Sequence, residues 1–405
     1  MPLPSPPLEP HAALSFEDTQ IAFASKDRAY VRKAYLLFAS FNLPWLVRVG
    51  SLMTLWLLRA HIPLIKWAVK KTVFDHFCAG ESISECASAV EELNRSGVKS
   101  ILDYSVEGEK SEAGFEATAK ETLATIDWGL RHSAIAFSVF KTTGVARFGL
   151  MEKLQSAAPL TDLEKAEWER AKDRVGRICQ RAADVNGRVL IDGEETCIQK
   201  VIDALAEEMM ARHNRGRVVV YTTYQMYRTA SLGNLKVGLS TAQSGGYQLG
   251  AKLVRGAYME TERKRARELG YPDPIQPDKA ATDADYDAAI LFCLDHLDQV
   301  ALCAGTHNEE SCQLLAQELE RRGIHPANQR VFFSQLYGMS DNISFNLAKA
   351  GFCVAKYLPY GPVRSVMPYL IRRAQENSAI AGQGGREFRL LQRELLRRKR
   401  SKSLP

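Results

Sequence analysis

Two adjacent arginines, Arg372 and Arg373, stand in the stretch YLPYGPVRSVMPYLIRRAQEN (Tyr357 to Asn377), with Glu376 one helical turn further on. Residues three and four apart on a helix share a face, so the three can act together. Two guanidiniums at one spot suit a carboxylate, which each can grip with a fork of donors. The bland alternative is a surface ion pair of little energetic weight. The apolar MPYLI beside it points instead to a helix pressed on a core. Other polar residues close apolar runs: Lys141, Asp192, Gln225, Arg255 with Tyr258, Thr306-His307-Asn308, Gln335 and Tyr357. Each alone fits a solvated loop, and their common position is what singles them out. Asp192, Glu194, Glu195 and His307 could be read as metal ligands. His307 stands alone, however, no HxH or ExxH pair occurs, and Lys141 and the arginines would repel a divalent ion. No metal site is expected. Neither a P-loop nor a GxSxG elbow is present.

These residues must be positioned by the elements that carry them. Short runs rich in Val, Ile, Leu and aromatics recur: KSILDYSVEG, SAIAFSVFKTTG, GRVLIDGEET, RVVVYTTYQMY, GAKLVRGAY, QVALCAGTHN, RVFFSQLYGM and CVAKYLPYG. Longer amphipathic stretches such as EESCQLLAQELERRGIHP separate them. Strands alternating with helices imply βαβ units and a parallel sheet. Eight such units predict an α/β fold, a closed (β/α)8 barrel, in which residues at the C-terminal strand ends surround the active site. An open doubly wound sheet is the rival, but no GxGxxG follows the first strand. The glycines of AGQGGRE follow a helix and read as a loop. Residues 1–90 read as an N-terminal helical region, and 91–405 as the barrel with a basic C-terminal tail.

The 405 residues carry a net charge of +6, too mild to argue for nucleic acid, and no zinc-finger or basic-region pattern occurs. Eight cysteines with no CxxC spacing suit buried thiols in a reducing compartment better than zinc or a disulfide scaffold. The proline-rich N-terminus resembles neither a secretory signal nor a transit peptide. The run Val49 to Leu58 is too short to span a bilayer. From Pro44 to Lys71, Trp45, Trp56 and Trp67 interleave with Arg48, Arg59, Lys66, Lys70 and Lys71. That mixture suits a helix lying on a membrane or one packed on a larger core. The basic run Arg397-Arg398-Lys399-Arg400 reads as a solvated tail or an anionic-surface contact.

From FDHFCAG to ELLRRKR the chain resembles the proline dehydrogenase family, on the motifs GAKLVRGAYMETER, THNEE, FFSQLYGM and KYLPYGPV…PYLIRRAQEN. It is most similar to the monofunctional, mitochondrial-type members and their bacterial relatives, being too short for the fused aldehyde dehydrogenase of bifunctional forms. The resemblance implies a distorted (β/α)8 barrel holding FAD over the C-terminal strand ends, with a final helix above. It implies oxidation of L-proline to Δ1-pyrroline-5-carboxylate, with electrons passed to a membrane quinone and pyrroline-5-carboxylate dehydrogenase as a separate downstream enzyme. It assigns the substrate carboxylate to Arg372, Arg373 and Lys141, and the ring walls to Tyr357, Tyr258 and Leu336. Asp192 is tied to this group, and Glu376 belongs to the final-helix constellation. Gln225, Lys252, Gln335, the run Val254-Arg255-Gly256-Ala257-Tyr258 and Thr306-His307-Asn308 fall to the cofactor. Many members carry arginine where Lys252 stands, whereas lysine fits the mitochondrial-type branch. The segment LTDLEKAEWERAKDR reads as a loop without EF-hand spacing. The implied location is cytoplasmic and peripheral at the inner membrane of a bacterium, or the matrix side of the mitochondrial inner membrane. Hydroxyproline oxidation, a lyase or hydrolase using Lys141 as a Schiff-base amine, and an inactive scaffold are the alternatives.

Overall fold

Eight parallel strands close on themselves in a computed structural model of the chain, each strand paired with its sequence neighbours and β8 returning to β1. The structure describes residues 14–41, 63–106, 109–379 and 383–401, with backbone alone at 63–65, 375–379 and 383–384. The strands are β1 (Val98–Tyr104), β2 (Ile135–Phe140), β3 (Val189–Ile191), β4 (Val220–Gln225), β5 (Leu249–Val254), β6 (Val300–Gly305), β7 (Val331–Leu336) and β8 (Val354–Tyr360). Each lies in one of the apolar runs seen in the sequence, and the closed barrel is the expected fold.

Among the described residues, α1 (Thr19–Ala22), α2 (Arg28–Phe41), α3 (Pro63–Val69), a short helical turn (Asp75–Phe77) and α4 (Ile83–Arg95) precede β1. A π-helical turn, Lys70–Phe74, continues α3. Around the barrel run α5 (Glu112–Arg131), α6 (Phe148–Gln155), α7 (Asp162–Asp184), α8 (Thr196–His213), α9 (Ser231–Gly245), α10 (Met259–Leu269), α11 (Lys279–Asp295), α12 (Glu309–Arg321) and α13 (Asp341–Lys349). Two more, α14 (Val363–Ala379) and α15 (Gln383–Arg400), follow β8.

Side chains alternate across a strand with period two, and that period decides what the barrel encloses. Ile101, Val139, Leu190 and Ala355 belong to one interior cluster. At its base Phe137 packs edge-on against Tyr221 and Phe332, with centroids 5.2 and 5.1 Å apart. Gly250 faces the same space, where a Cβ would fall 2.8 Å from the Tyr221 ring. The interior is therefore plugged by aromatics rather than open as a pore. Two residues beyond the four aliphatic positions stand Asp103, Lys141, Asp192 and Tyr357, so the same period raises them to the C-terminal rim.

A second apolar cluster joins the chain's two ends. Val31, Phe38 and Phe77 share it with Val366, Leu370 and Leu391. Tyr35 of α2 stacks on Phe388 of α15, centroids 4.7 Å apart. Helices α1 to α3 and the last two helices thus form one cap over the barrel, whereas α4 packs into the barrel's own core.

Three sequence expectations are corrected. LTDLEKAEWERAKDR is not a loop but the first half of α7, started by a capping box between Thr161 and Glu164. That T-x-x-E pattern was legible and outweighs the charge-rich composition that suggested a loop. The glycines Gly384 and Gly385 lie in the first turn of α15, where the amphipathic run EFRLLQRELL carries the helix despite them. The basic run is likewise helical through Arg400 rather than a free tail. Arg397 and Arg398 both hold the fully buried Glu394, at 2.7 and 2.5 Å. Of the Trp- and Lys/Arg-bearing stretch, Trp45, Arg48, Trp56 and Arg59 lie outside the described residues. Trp67 is 61% exposed. Among the described residues, no helix is long and apolar enough to cross a membrane.

Candidate active site

Asp192 follows β3 directly and is the hub of the barrel mouth. Its Oδ1 accepts from Lys252 Nζ at 2.6 Å, and its Oδ2 from Lys141 Nζ at 3.1 Å and the Tyr357 hydroxyl at 2.7 Å. Burial alone would push the Asp192 carboxyl up, but Lys252 and Lys141, with the tyrosine's hydrogen bond, hold it well below the usual carboxylate range. Burial pushes the Tyr357 hydroxyl well above its ordinary value, and the carboxylates Asp103 and Asp192 add to this. Tyr357 is therefore a proton holder. The Lys252 ammonium also sits over its ring, 4.9 Å from the centroid. Strands 51, 60 and 165 residues apart in sequence meet in this one knot.

The β3–α8 loop is braced from both sides. The Thr143 amide and hydroxyl donate to the Glu194 carboxylate, the amide at 2.9 Å. Gln225 Nε2 donates to the Glu194 carbonyl at 2.7 Å. Burial pushes the Glu194 carboxyl up to about 7, against the opposing pull of Thr143 and Lys141. Glu194 thus joins the loop bearing Lys141 to the loop bearing Asp192. Among the described residues no group of His, Cys, Asp and Glu is placed to hold a metal ion.

A second cluster occupies the β5 and β6 ends. Arg255 donates to Asp283 at 2.6 Å, to the Thr306 hydroxyl and to Ser311 at 3.0 Å, and lies over the Tyr286 ring. Val254 ends β5, Gly256 and Ala257 are exposed, and Tyr258 caps α10. Gly256 has φ +129°, and a Cβ there would fall 2.4 Å from the Tyr227 ring, so the turn requires glycine. His307 Nδ1 pairs with Ser340 Oγ at 2.8 Å. Burial lowers the His307 imidazole to about 3, aided by Lys356, Arg373 and Arg255. Asn308 caps α12 through the Ser311 amide. Gln335 Nε2 donates to the Thr306 carbonyl at 3.1 Å, and Ser344 holds its oxygen.

The helix α14 brings Arg373 to this rim. Arg373 is buried, and its guanidinium lies 5.2 Å from the Tyr369 centroid. Tyr369 is near enough to act on the Tyr357 hydroxyl, and Arg373 on His307. Arg372 is half-buried on the same turn, and Leu336 ends β7 between the interior cluster and the cap. The Glu376 side chain lies outside the described residues. Sequence reasoning missed Asp103, a buried carboxylate next to the end of β1 that acts on the Tyr357 hydroxyl, though a carboxylate near the end of an apolar run was its visible signal. It also missed Tyr369. Among the described side chains, Lys141, Lys252 and Arg373 bring positive charge to the mouth beside the carboxylates Asp103 and Asp192.

Residues 86–386 match the family model described as proline dehydrogenase. The chain is 39% identical over 287 residues to proline dehydrogenase 1, mitochondrial, of Homo sapiens, covering 70% of this chain and 48% of that protein. It is 32% identical over 423 residues to the hydroxyproline dehydrogenase of Xenopus laevis, covering 95% of this chain and 90% of that protein. The chain thus spans about half of the human relative and nearly all of the frog one. Among solved structures, proline utilization A from Bdellovibrio bacteriovorus superposes with a TM-score of 0.73 at 18% identity, over 93% of this chain and 44% of that one. At that identity the likeness speaks for the fold.

Proposed function

The chain belongs to the proline dehydrogenase family, and from that premise we propose that it is an FAD-dependent enzyme that oxidises L-proline to Δ1-pyrroline-5-carboxylate. The observation that carries this reading is the knot of Lys141, Lys252 and Tyr357 around Asp192, roofed by the helix that bears Arg373. Proline presents a carboxylate, a secondary amine and three methylenes. Arg372, Arg373 and Lys141 grip the carboxylate, while Tyr357, Tyr258 and Leu336 wall the ring and fix the orientation of C5. Oxidation removes a hydride from C5 and a proton from nitrogen, leaving a C=N bond. Tyr357 keeps its own proton at Oη, and Asp192 already accepts from three donors, so the amine proton leaves to water at the mouth.

The residues at the β5 and β6 ends fit FAD. An exposed glycine turn that tolerates no Cβ, the Arg255 guanidinium and the capped N-terminus of α12 form a donor set suited to a pyrophosphate. Val254 to Tyr258, Thr306, His307, Asn308, Gln225 and Gln335 would hold the group, with Lys252 beside its reactive ring. FAD, when bound, supplies the two-electron acceptor. The purified protein should be yellow, with flavin bands that bleach on addition of L-proline. A colourless protein that turned over a carbonyl substrate through Lys141 would sink this reading in favour of a Schiff-base lyase.

Hydroxyproline is the second reading, favoured by the frog relative's name. Tyr357 opposes it: with proline seated as proposed, this buried ring would crowd the position that carries the hydroxyl. Tyr357→Ser is expected to lower kcat/KM for proline and to move the proline-to-hydroxyproline ratio toward trans-4-hydroxyproline by about tenfold. A ratio that stays put would remove Tyr357 as the ring-reading residue.

We place the enzyme at a membrane face, bacterial inner membrane or mitochondrial matrix side, where a quinone reoxidises it and pyrroline-5-carboxylate dehydrogenase consumes the product. Exposed Trp67 and the exposed Lys71, which stands 3.5 Å from Asp75, offer the contact. Each basic residue near an anionic surface contributes about 1 kcal/mol. Trp67→Ser with Lys71→Gln should weaken co-sedimentation with anionic vesicles severalfold and leave dye-linked activity unchanged. Equal sedimentation with neutral and anionic vesicles, at low and high salt, would exclude electrostatic docking.

A further inference from the structure

The clamp arginines sit on α14, and α14 must be aimed by something other than their own contacts. Its first residue, Val363, is fully buried and follows β8 by way of Gly361 and Pro362. Two contacts tie this junction to a distant strap, residues 79–81. The Ala79 amide donates to the Pro359 carbonyl at 2.9 Å, and the Gly361 amide to the Gly80 carbonyl at 3.1 Å. Gly80 and Tyr360 form an isolated parallel bridge. The strap thus extends the sheet edge where β8 hands over to α14.

Glu81 completes the strap with its side chain. Its Oε2 accepts the Val363 amide at 3.3 Å, one of the amides left without an intrahelical partner at the start of α14. The same carboxylate is held by Lys66 at 3.1 Å and Lys70 at 2.8 Å, which lie four apart on α3 and its π-helical continuation. Burial would push the Glu81 carboxyl up, but hydrogen bonds from Lys70 and Lys66 bring it below its ordinary value, so it remains an anion. An anion at a helix N-terminus is also favoured by the helix dipole. The Glu81 carboxylate is itself engaged by Lys66, Lys70 and the Val363 amide. Arg372 and Arg373 lie further along the same helix, beyond Pro368, whose ring leaves one backbone bond unmade, so the position of Val363 reaches the guanidiniums through the helix and through the packing of Val366, Met367 and Leu370 on either side of that proline.

We propose that Glu81 is a positioning residue for the substrate carboxylate, fixing the start of α14 against α3 so that Arg372 and Arg373 point at the ring-acid site. The inference rests on the clamp role given above to those arginines. Lys66 and Lys70 act through Glu81, and the strap at Gly80 sets its height. The device couples an outer helix of the cap to ligand grip at the mouth.

The test uses the flavin-loaded enzyme and two ring ligands, a saturated five-membered ring carboxylate that cannot be oxidised and pyrrolidine, which lacks the carboxylate. Glu81→Ala is expected to raise the dissociation constant of the ring carboxylate and the KM for proline about tenfold, with kcat and flavin content little changed. Pyrrolidine binding should not move. Glu81→Gln keeps an acceptor for the Val363 amide but loses the lysines' charge partner, so it should fall between wild type and alanine. A merely structural loss would weaken both ligands alike, and that result, or no change in either, overturns the proposal. Arg373→Met, measured in parallel, separates the two readings. If it weakens the ring carboxylate and Glu81→Ala does not, the positioning role fails while the clamp stands. If neither variant discriminates the ligands, both fail.

Discussion

Asp192→Asn is expected to reduce kcat/KM for proline by about two to three orders of magnitude and to lower thermal stability. The carboxylate is buried and serves Lys252, Lys141 and Tyr357 at once. An asparagine offers one acceptor oxygen and turns an NH2 toward the remaining donors. Removing one partner of a buried charge cluster costs about 3–5 kcal/mol, because the other charges remain without compensation. Since a factor of ten corresponds to about 1.4 kcal/mol, the kinetic loss follows if most of that cost appears as a displaced Lys141. The pH dependence has a definite sign. The Asp192 carboxyl is depressed in the folded state, so its contribution is fully present above the unfolded value of about 3.9 and fades only as pH falls toward the lower folded one. The difference in Tm between wild type and variant should therefore be flat from about pH 6 to 8 and shrink in acid. A difference that collapsed already near pH 7 would mean that Asp192 is not the charged hub described here.

Arg373→Met should raise the KM for proline at least about thirtyfold while flavin stays bound, and Arg372→Met should act in the same direction. Methionine keeps an unbranched apolar chain at this position and removes the guanidinium, which lies over the Tyr369 ring. Truncating one side of a desolvated, hydrogen-bonded charge pair costs about 2–5 kcal/mol. Steady-state kinetics with the flavin absorbance recorded on the same sample decide it. An unchanged KM in both variants would leave the arginines as structural cations of the cap, and the carboxylate would then be held by Lys141 alone.

Much of this arrangement was legible in the chain before any coordinates. Eight apolar runs alternating with amphipathic stretches sufficed for the closed barrel, because strand and helix periods are local and continuous. The polar residues at the run ends, from Lys141 to Tyr357, were legible for the same reason. The local errors had local causes. Charge density in α7 hid a capping box, and the glycines at the start of α15 hid a helix whose stability comes from packing on α2. Glu81 gave no signal at all, since its three partners lie on α3, the π-helical turn and α14.

The sequence by itself determined which residue types reach the barrel mouth, because alternation along a strand is covalent geometry: two steps beyond Ile101, Val139, Leu190 and Ala355 come Asp103, Lys141, Asp192 and Tyr357. Only the tertiary structure decided which charges neutralise which. Lys252 and Lys141 both turn to Asp192, whereas Arg397 and Arg398 are drawn from an apparent surface patch onto buried Glu394. The physical reason is that a Coulomb contact depends on separation in space and on local burial. Both are set by barrel closure between β1 and β8 and by the cap's packing, which no local stretch of sequence encodes.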